Sequence, residues 1–250
     1  MKKLFCSMLV VCLAMSAWAA DLPKQGFGVH VGWAQPILRL NRSTNPASAK
    51  DSLTSITKMN GFKVGLTYDG SYIAGFGSSM GINYTFATSN SGWKAIGVAD
   101  YPRSRQMIHY HEVEMFVDWQ YKFEVAKETY LILYTGPTIQ CGIGMDMRTD
   151  RQEYDGTITY KHGNGYNPEK DDYTSLDEEN NHFKRMNVTW GVGAGFQYQR
   201  YFVRGGYDFG LINPYANSQF VDKAGIQMDR YTRGRLDQWS IKIGMYLWYE

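Results

Sequence analysis

Period-two alternation is what most restricts this chain. Between residues 26 and 249, eight segments carry an apolar or aromatic side chain at every second position, with Gly, small, polar or charged residues between. That period belongs to strands with two unlike faces. The first segment, Gly26 to Pro36, sends Phe27, Val29, Val31 and Trp33 one way and Gly28, His30 and Gly32 the other. Gly61 to Asp69 sets Phe62, Val64, Leu66 and Tyr68 against Lys63, Gly65, Thr67 and Asp69. Tyr72 to Phe86 sets Phe76, Met80, Ile82, Tyr84 and Phe86 against Gly75, Gly77, Ser79, Gly81, Asn83 and Thr85. Met107 to Phe123 sets Val113, Met115, Val117, Trp119, Tyr121 and Phe123 against Glu112, Glu114, Asp118, Gln120 and Lys122.

The second half repeats the pattern. Tyr130 to Met145 has Leu131, Leu133, Ile139, Cys141, Ile143 and Met145 in one phase and Gly136, Thr138, Gln140, Gly142 and Gly144 in the other. Pro137 cannot donate to a ladder, so a bulge or strand end is expected near Gly136-Pro137. Asn187 to Tyr198 alternates Val188, Trp190, Val192, Ala194, Phe196 and Tyr198 with Thr189, Gly191, Gly193, Gly195 and Gln197. Tyr201 to Leu211 opposes Val203, Tyr207 and Phe209 to Arg204, Gly206 and Asp208. Leu236 to Tyr249 opposes Trp239, Ile241, Ile243, Met245, Leu247 and Tyr249 to Ser240, Lys242 and Gly244.

Connection lengths turn these strands into a topology. They run 23 residues (37 to 59), 2 (70 to 71), 20 (87 to 106), 6 (124 to 129), 41 (146 to 186), 2 (199 to 200) and 24 (212 to 235), so long and short alternate without exception. An even number of antiparallel strands, with tight turns at the end bearing both termini and long loops at the other, predicts an all-β fold. The expectation is an eight-stranded antiparallel up-and-down transmembrane β-barrel. Closure leaves no strand edge to hydrogen-bond lipid.

The charges decide which face meets lipid. Lys63, Asp69, Glu112, Glu114, Asp118, Lys122, Arg204, Asp208 and Lys242 all fall in the glycine-bearing phase. An apolar barrel interior does not tolerate unpaired charges, each of which costs several kcal/mol. A membrane barrel's lumen accepts them as a mixed-sign network. The other phase is edged by Trp33, Tyr68, Tyr84, Trp119, Tyr121, Tyr198, Tyr207, Trp239 and Tyr249, which suits aromatic girdles at the two interfaces. Eight strands enclose a space that side chains fill, so a plugged lumen is expected and a large steady conductance is not.

Composition narrows the setting. Lys2 and Lys3 precede the apolar run Leu4 to Met15 and the small-residue site Ala17-Trp18-Ala19, the pattern of a secretory signal peptide over residues 1–19, leaving 20–250 as the barrel domain with four long extracellular loops. Removing those two lysines from the 26 basic residues leaves 24 against 24 acidic ones, which excludes a nucleic-acid or other polyanion binder by bulk charge. Cys6 and Cys12 leave with the signal and only Cys141 remains, so no internal disulfide is expected.

Four stretches carry a family resemblance: Tyr110-His111-Glu112-Val113-Glu114-Met115-Phe116-Val117, Leu133-Tyr134-Thr135-Gly136-Pro137-Thr138, Gly191-Val192-Gly193-Ala194-Gly195-Phe196 and Tyr207-Asp208-Phe209-Gly210-Leu211-Ile212-Asn213. With them the chain resembles the small outer-membrane β-barrel family of Bacteroidetes-type bacteria, the PorT-like relatives of OmpX and OmpA barrels. It departs at Glu114 and Met115, where the family often has an aliphatic residue and a proline, and at Glu250, which follows the terminal aromatic Tyr249. The resemblance implies a barrel in the cell outer membrane of a Gram-negative bacterium and implies no reaction, catalytic residue or cofactor.

His109 and His111 open a strand at the long-loop end in the lipid-facing phase, where a lipid A acyltransferase or deacylase needs its histidine. Ser104 lies in the adjoining loop and Glu112 points to the other face, so no triad assembles, and histidines touching headgroups is the preferred reading. Two histidines at that spacing without a third ligand do not make a metal site. The connection 146–186 holds ten acidic residues, Asp146, Asp150, Glu153, Asp155, Glu169, Asp171, Asp172, Asp177, Glu178 and Glu179, against six basic ones, and reads as a solvated acidic loop without EF-hand spacing. By difference the other long loops are basic, +3 (37 to 59), +2 (87 to 106) and +2 (212 to 235), against −4 here. They are expected to contact anionic lipopolysaccharide or to fold against the acidic loop. The glycine alternations are strands rather than phosphate loops. The expected role is structural or adhesive, through loops that meet outer-membrane lipid, a surface ligand or an envelope protein. A lipid A-modifying enzyme and a narrow solute channel are the alternatives, and a soluble periplasmic ligand-binding barrel fits less well.

Overall fold

A computed structural model describes residues 25–43, 52–73, 75–95, 102–164, 166, 183–214 and 230–249; the expected signal peptide lies outside them. Eleven strands form one antiparallel sheet: β1 (Gln25–Ser43), β2 (Ser52–Lys58), β3 (Asn60–Ile73), β4 (Phe76–Asn90), β5 (Lys94–Ala95), β6 (Arg103–Ala126), β7 (Thr129–Gln152), β8 (Ile158–Asn164), β9 (Met186–Tyr198), β10 (Tyr201–Gly210) and β11 (Arg230–Tyr249). Eight of them, β1, β3, β4, β6, β7, β9, β10 and β11, pair each with the next, and β11 pairs back onto β1. The sheet is therefore a closed barrel.

The register shows how it closes. A line of partners runs from Gln25 through Gly70, Ser78, Trp119, Thr135, Val192, Tyr207 and Trp239 and re-enters β1 at Gln35, ten residues further along. That stagger tilts every strand against the barrel axis. Both described ends, Gln25 and Tyr249, lie at the end of the three tight turns. Glu128 and Gln199 occupy two of those turns with φ of 58° and 52°, the left-handed backbone that two-residue hairpin loops demand.

The two faces are inverted relative to a soluble protein. One outward residue from each barrel strand, Val31, Leu66, Ile82, Met115, Ile139, Val192, Val203 and Ile241, is between 43% and 57% exposed. A continuous apolar belt of this kind is costly in water and suited to hydrocarbon. Inside, Lys63, Asp69, Glu112, Glu114, Lys122 and Arg204 are each 3% exposed or less. Among the described residues no helix is long and apolar enough to cross a membrane.

Several sequence expectations need correction. The connection expected over 37–59 is largely strand: β1 continues to Ser43 and pairs with β2, from Ile37 opposite Lys58 to Ser43 opposite Ser52. Apolar alternation stops there because strands rising past the belt need no lipid-facing side, while backbone pairing continues. The acidic loop expected over 146–186 begins likewise as strand, since β7 runs to Gln152 and β8 folds back on it. The expected six-residue connection at 124–129 is a tight turn at Lys127-Glu128. Two bulges also flip side chains. A register shift at His111/Glu112 turns Met145 inward to 3% exposure, and one at Phe27/Gly28 turns Tyr249 toward the lumen, beside Tyr246, which the phase of Lys242 and Gly244 already places inside at 0% exposure. Tyr249, expected on the outer girdle, follows Tyr246 and accepts a hydrogen bond from Gln197 at 3.0 Å. At Gly136-Pro137 strand β7 is neither ended nor bulged: the β6–β7 register is the same on both sides, Phe116 opposite Thr138 and Trp119 opposite Thr135, with the ladder open between them, and Gly136 and Pro137 keep their partners on β9.

Candidate functional site

The lumen is filled in two polar layers topped by an apolar one. The layer nearer the tight turns centres on Asp69 of β3. Its Oδ2 accepts from Arg204 Nη2 of β10 at 2.7 Å, from Lys122 Nζ of β6 at 3.1 Å and from the Tyr246 hydroxyl of β11. Arg204 also donates to Ser79 Oγ at 2.9 Å and Gln120 Oε1 at 3.2 Å, and Lys122 donates to Gln197 Oε1 at 3.1 Å. One carboxylate thus ties together strands from all round the barrel. Such hydrogen-bonded pairing is what makes burial of these charges tolerable.

The next layer centres on Glu114 and Glu112. Glu114 Oε1 accepts from Lys63 Nζ at 2.6 Å and from Asn83 Nδ2 at 2.5 Å, and Asn83 Oδ1 lies 2.6 Å from His30 Nε2. Among the described residues Glu112 has no cation in direct contact; Tyr110 donates to its Oε2 at 2.6 Å and Gln238 Nε2 to its Oε1 at 2.7 Å. The remaining members of the expected set, Asp118, Asp208 and Lys242, share the lumen without a side-chain hydrogen bond among the described residues, and Lys242 Nζ instead lies 4.7 Å from the Phe116 ring centre. Sequence reasoning missed the neutral members of the network, His30, Asn83, Gln197, Gln238, Tyr110 and Tyr246. All six fall in the inward phase of their strands, but none carries the formal charge that made the other lumen residues stand out.

Above both layers Leu38, Met59, Ala87, Ile108, Tyr110, Met145, Tyr166 and Leu236 form an apolar plug at the long-connection end, with Met147 and Phe183 packed against it. Tyr166 comes from the third connection, and its hydroxyl occupies the space a Cβ on Gly142 would take. Arg185 stacks over that ring at 5.0 Å and donates to the carbonyls of Gly142 and Ile143 at 3.3 and 3.1 Å. The connection thereby folds onto the barrel mouth.

On the outer wall His111 Nδ1 lies 2.7 Å from the Tyr84 hydroxyl, and His109 stacks on Phe86 with rings 6.3 Å apart. Among the described residues neither is hydrogen-bonded to a serine or carboxylate, although Asp146 stands opposite His109 across β6 and β7, and Glu112 is inside as expected from its phase. Among the described residues no three His, Cys, Asp or Glu side chains gather as metal ligands.

Two outward carboxylates are each clasped by two arginines. Asp150 of β7 binds Arg105 Nη2 at 2.5 Å and Arg148 Nε at 2.6 Å, which hold its carboxyl below the ordinary range. Asp237 of β11 binds Arg39 Nε at 2.9 Å and Arg235 Nε at 2.7 Å. The first joins the basic 87–106 connection to the acidic 146–186 connection. Of the latter's acidic residues Asp146, Asp150, Glu153 and Asp155 are in place; Glu169, Asp171, Asp172, Asp177, Glu178 and Glu179 lie outside the described residues.

No protein-family model and no curated protein matches the chain. Among solved structures it is similar to the attachment invasion locus protein Ail of Yersinia pestis in complex with the heparin analogue sucrose octasulfate (10% identity, 90% of this chain and 100% of that one, TM-score 0.37). It is similar also to Neisserial surface protein A (12%, 88% and 96%, TM-score 0.35) and to the outer membrane protease OmpT of Escherichia coli (7%, 93% and 100%, TM-score 0.29). At these scores the likeness carries no argument; the fold rests on the strand ring itself.

Proposed function

We propose that the protein resides in the bacterial outer membrane as a barrel with a filled lumen, and that its work is structural or surface-binding, done by the strand extensions and connections beyond the apolar belt. One observation carries this reading: the barrel is apolar outside and cross-braced by buried charge inside, with an apolar plug at the mouth. A lumen so occupied serves as a stiff post rather than a passage, and the third connection, docked through Tyr166 and Arg185, is presented to the cell exterior. Export by the segment 1–19 and contact with lipopolysaccharide belong to the same proposal.

The test is membrane fractionation with gel electrophoresis of boiled and unboiled protein, followed by planar-bilayer recording. The expected result is an outer-membrane protein with a heat-dependent mobility shift and no steady large conductance. A soluble periplasmic protein without a shift overturns the membrane reading. A steady large conductance replaces it with the channel, and deacylation of purified lipid A replaces it with the enzyme.

A further inference from the structure

The charge rule of the barrel is broken at one place on the lipid-facing wall. Asp237 lies two residues beyond Trp239 on the same outward face of β11, about 7 Å along the strand. It is 0% exposed and saturated with donors: Arg39 Nε at 2.9 Å, Arg235 Nε at 2.7 Å, the Tyr207 hydroxyl at 2.7 Å and the Gly210 N–H at 3.0 Å. The two arginines are direct cross-strand partners, and exposed Lys58 of β2 sits opposite Ile37, which is itself opposite Asp237. Three cations and one carboxylate therefore share three neighbouring strands.

Among the described residues that arrangement lacks a second anion. Like charges placed directly opposite across strands destabilise a sheet, and one carboxylate offsets only one of the three. Asp237 accepts no further bond usefully, yet it aims both guanidiniums, whose side chains remain 36% and 45% exposed. Planar guanidinium forks held side by side suit the oxygens of a phosphate.

Position names the source of that phosphate. Immediately inward along the wall stand Tyr207 and Trp239, 4.7 Å apart, and Phe209 of β10, 4.6 Å from Tyr207, lies level with Asp237. Such rings mark the level where hydrocarbon gives way to headgroups. The second arginine-clasped carboxylate, Asp150, sits on the β7–β8 extension instead, flanked by Trp93 and Tyr160, with no apolar belt beside it. We propose that Arg39, Arg235 and Lys58, aligned by Asp237, dock a phosphate group on the headgroup of an outer-leaflet lipid whose acyl chains pack on the aromatic rim below. This rests on the membrane reading above.

The experiment uses the full-length protein in phosphatidylcholine nanodiscs doped with bisphosphorylated lipid A or with its dephosphorylated form, with bound lipid counted by native mass spectrometry. A wild-type protein that shows no heat-dependent shift fails the membrane reading before any lipid is added. The Arg39→Gln/Arg235→Gln variant is expected to keep that shift and to lose about tenfold in affinity for the phosphorylated lipid. Arg105→Gln/Arg148→Gln is expected to stay within about twofold of wild type. Asp237→Asn raises the local positive charge, yet is expected to weaken binding because the arginines lose their alignment. Should the double glutamine variant fail to fold, Arg39→Lys/Arg235→Lys keeps the charge without the fork and is expected to bind more weakly. The proposal is overturned by wild-type affinity in the arginine variants, by equal retention of the dephosphorylated lipid, by tighter binding in Asp237→Asn, or by displacement of the lipid with inorganic phosphate at equal concentration.

Discussion

The lumen's two ends are filled by opposite chemistry. Near the tight turns a single carboxylate, Asp69, gathers Arg204, Lys122 and Tyr246 from three other strands. At the mouth, Leu38, Met59, Tyr166 and Leu236 meet with no ion pair among them. The difference follows from what surrounds each end. Within the lipid belt the outer face already carries the apolar residues, so the inner face is left with charge, which must be satisfied internally. Past the belt both wall faces meet water, and a water-excluding plug can form inside. The polar end is held by a few bonds of high individual consequence, the apolar end by many contacts of small individual consequence.

Breaking the polar end is therefore expected to have the largest effect. Asp69→Ala leaves Arg204 and Lys122 buried without their shared anion and should cost about 3–5 kcal/mol. Urea titration followed by the unboiled-gel shift measures it. A loss no larger than that of a mouth substitution removes the distinction between the two ends. Leu236→Ala at the mouth, by contrast, should cost about 2–3 kcal/mol as a partly relaxing cavity, without releasing a buried charge.

A smaller effect sharpens the account of the mouth. Gly142 has no room for a Cβ because the Tyr166 hydroxyl stands there. Gly142→Ala should destabilise the wild-type protein and be nearly harmless in Tyr166→Ala. The double-mutant cycle should return a coupling of about 1–2 kcal/mol. Additive effects would mean that the third connection does not seat its tyrosine on β7.

What the sequence disclosed differed between the ends for the same reason. Period two placed the lumen-facing charges because each strand inside the belt has one face forced apolar, so Lys63, Asp69 and Arg204 stood out as exceptions to a regular pattern. The plug was illegible. Met145 sat in the outward phase until a bulge at His111/Glu112 reversed it, and Tyr166 lies in a connection with no periodicity at all. Asp237 was hidden differently: its outward phase was readable, but nothing in the pattern told where the belt ends, and its partners Arg39 and Tyr207 are distant in sequence.

The smallest expected effect concerns the extension outside the belt, where protonation rather than mutation is the probe. The bonds from Arg105 and then Arg148 hold the Asp150 carboxyl below its ordinary value of 3.8. A group lowered on folding contributes stability that is fully present above the unfolded value and lost as pH falls through the lower folded value. Asp155 shifts in the same direction through the Thr157 N–H at the hairpin tip. The β7–β8 hairpin should therefore keep its protection from hydrogen exchange from neutral pH down to about 4 and loosen only below it, while the belt strands stay protected throughout. Arg105→Gln should move that loosening to higher pH, toward the ordinary carboxylate value. Loosening that begins near pH 6 would show that Asp150 is not the group whose ionisation holds the hairpin.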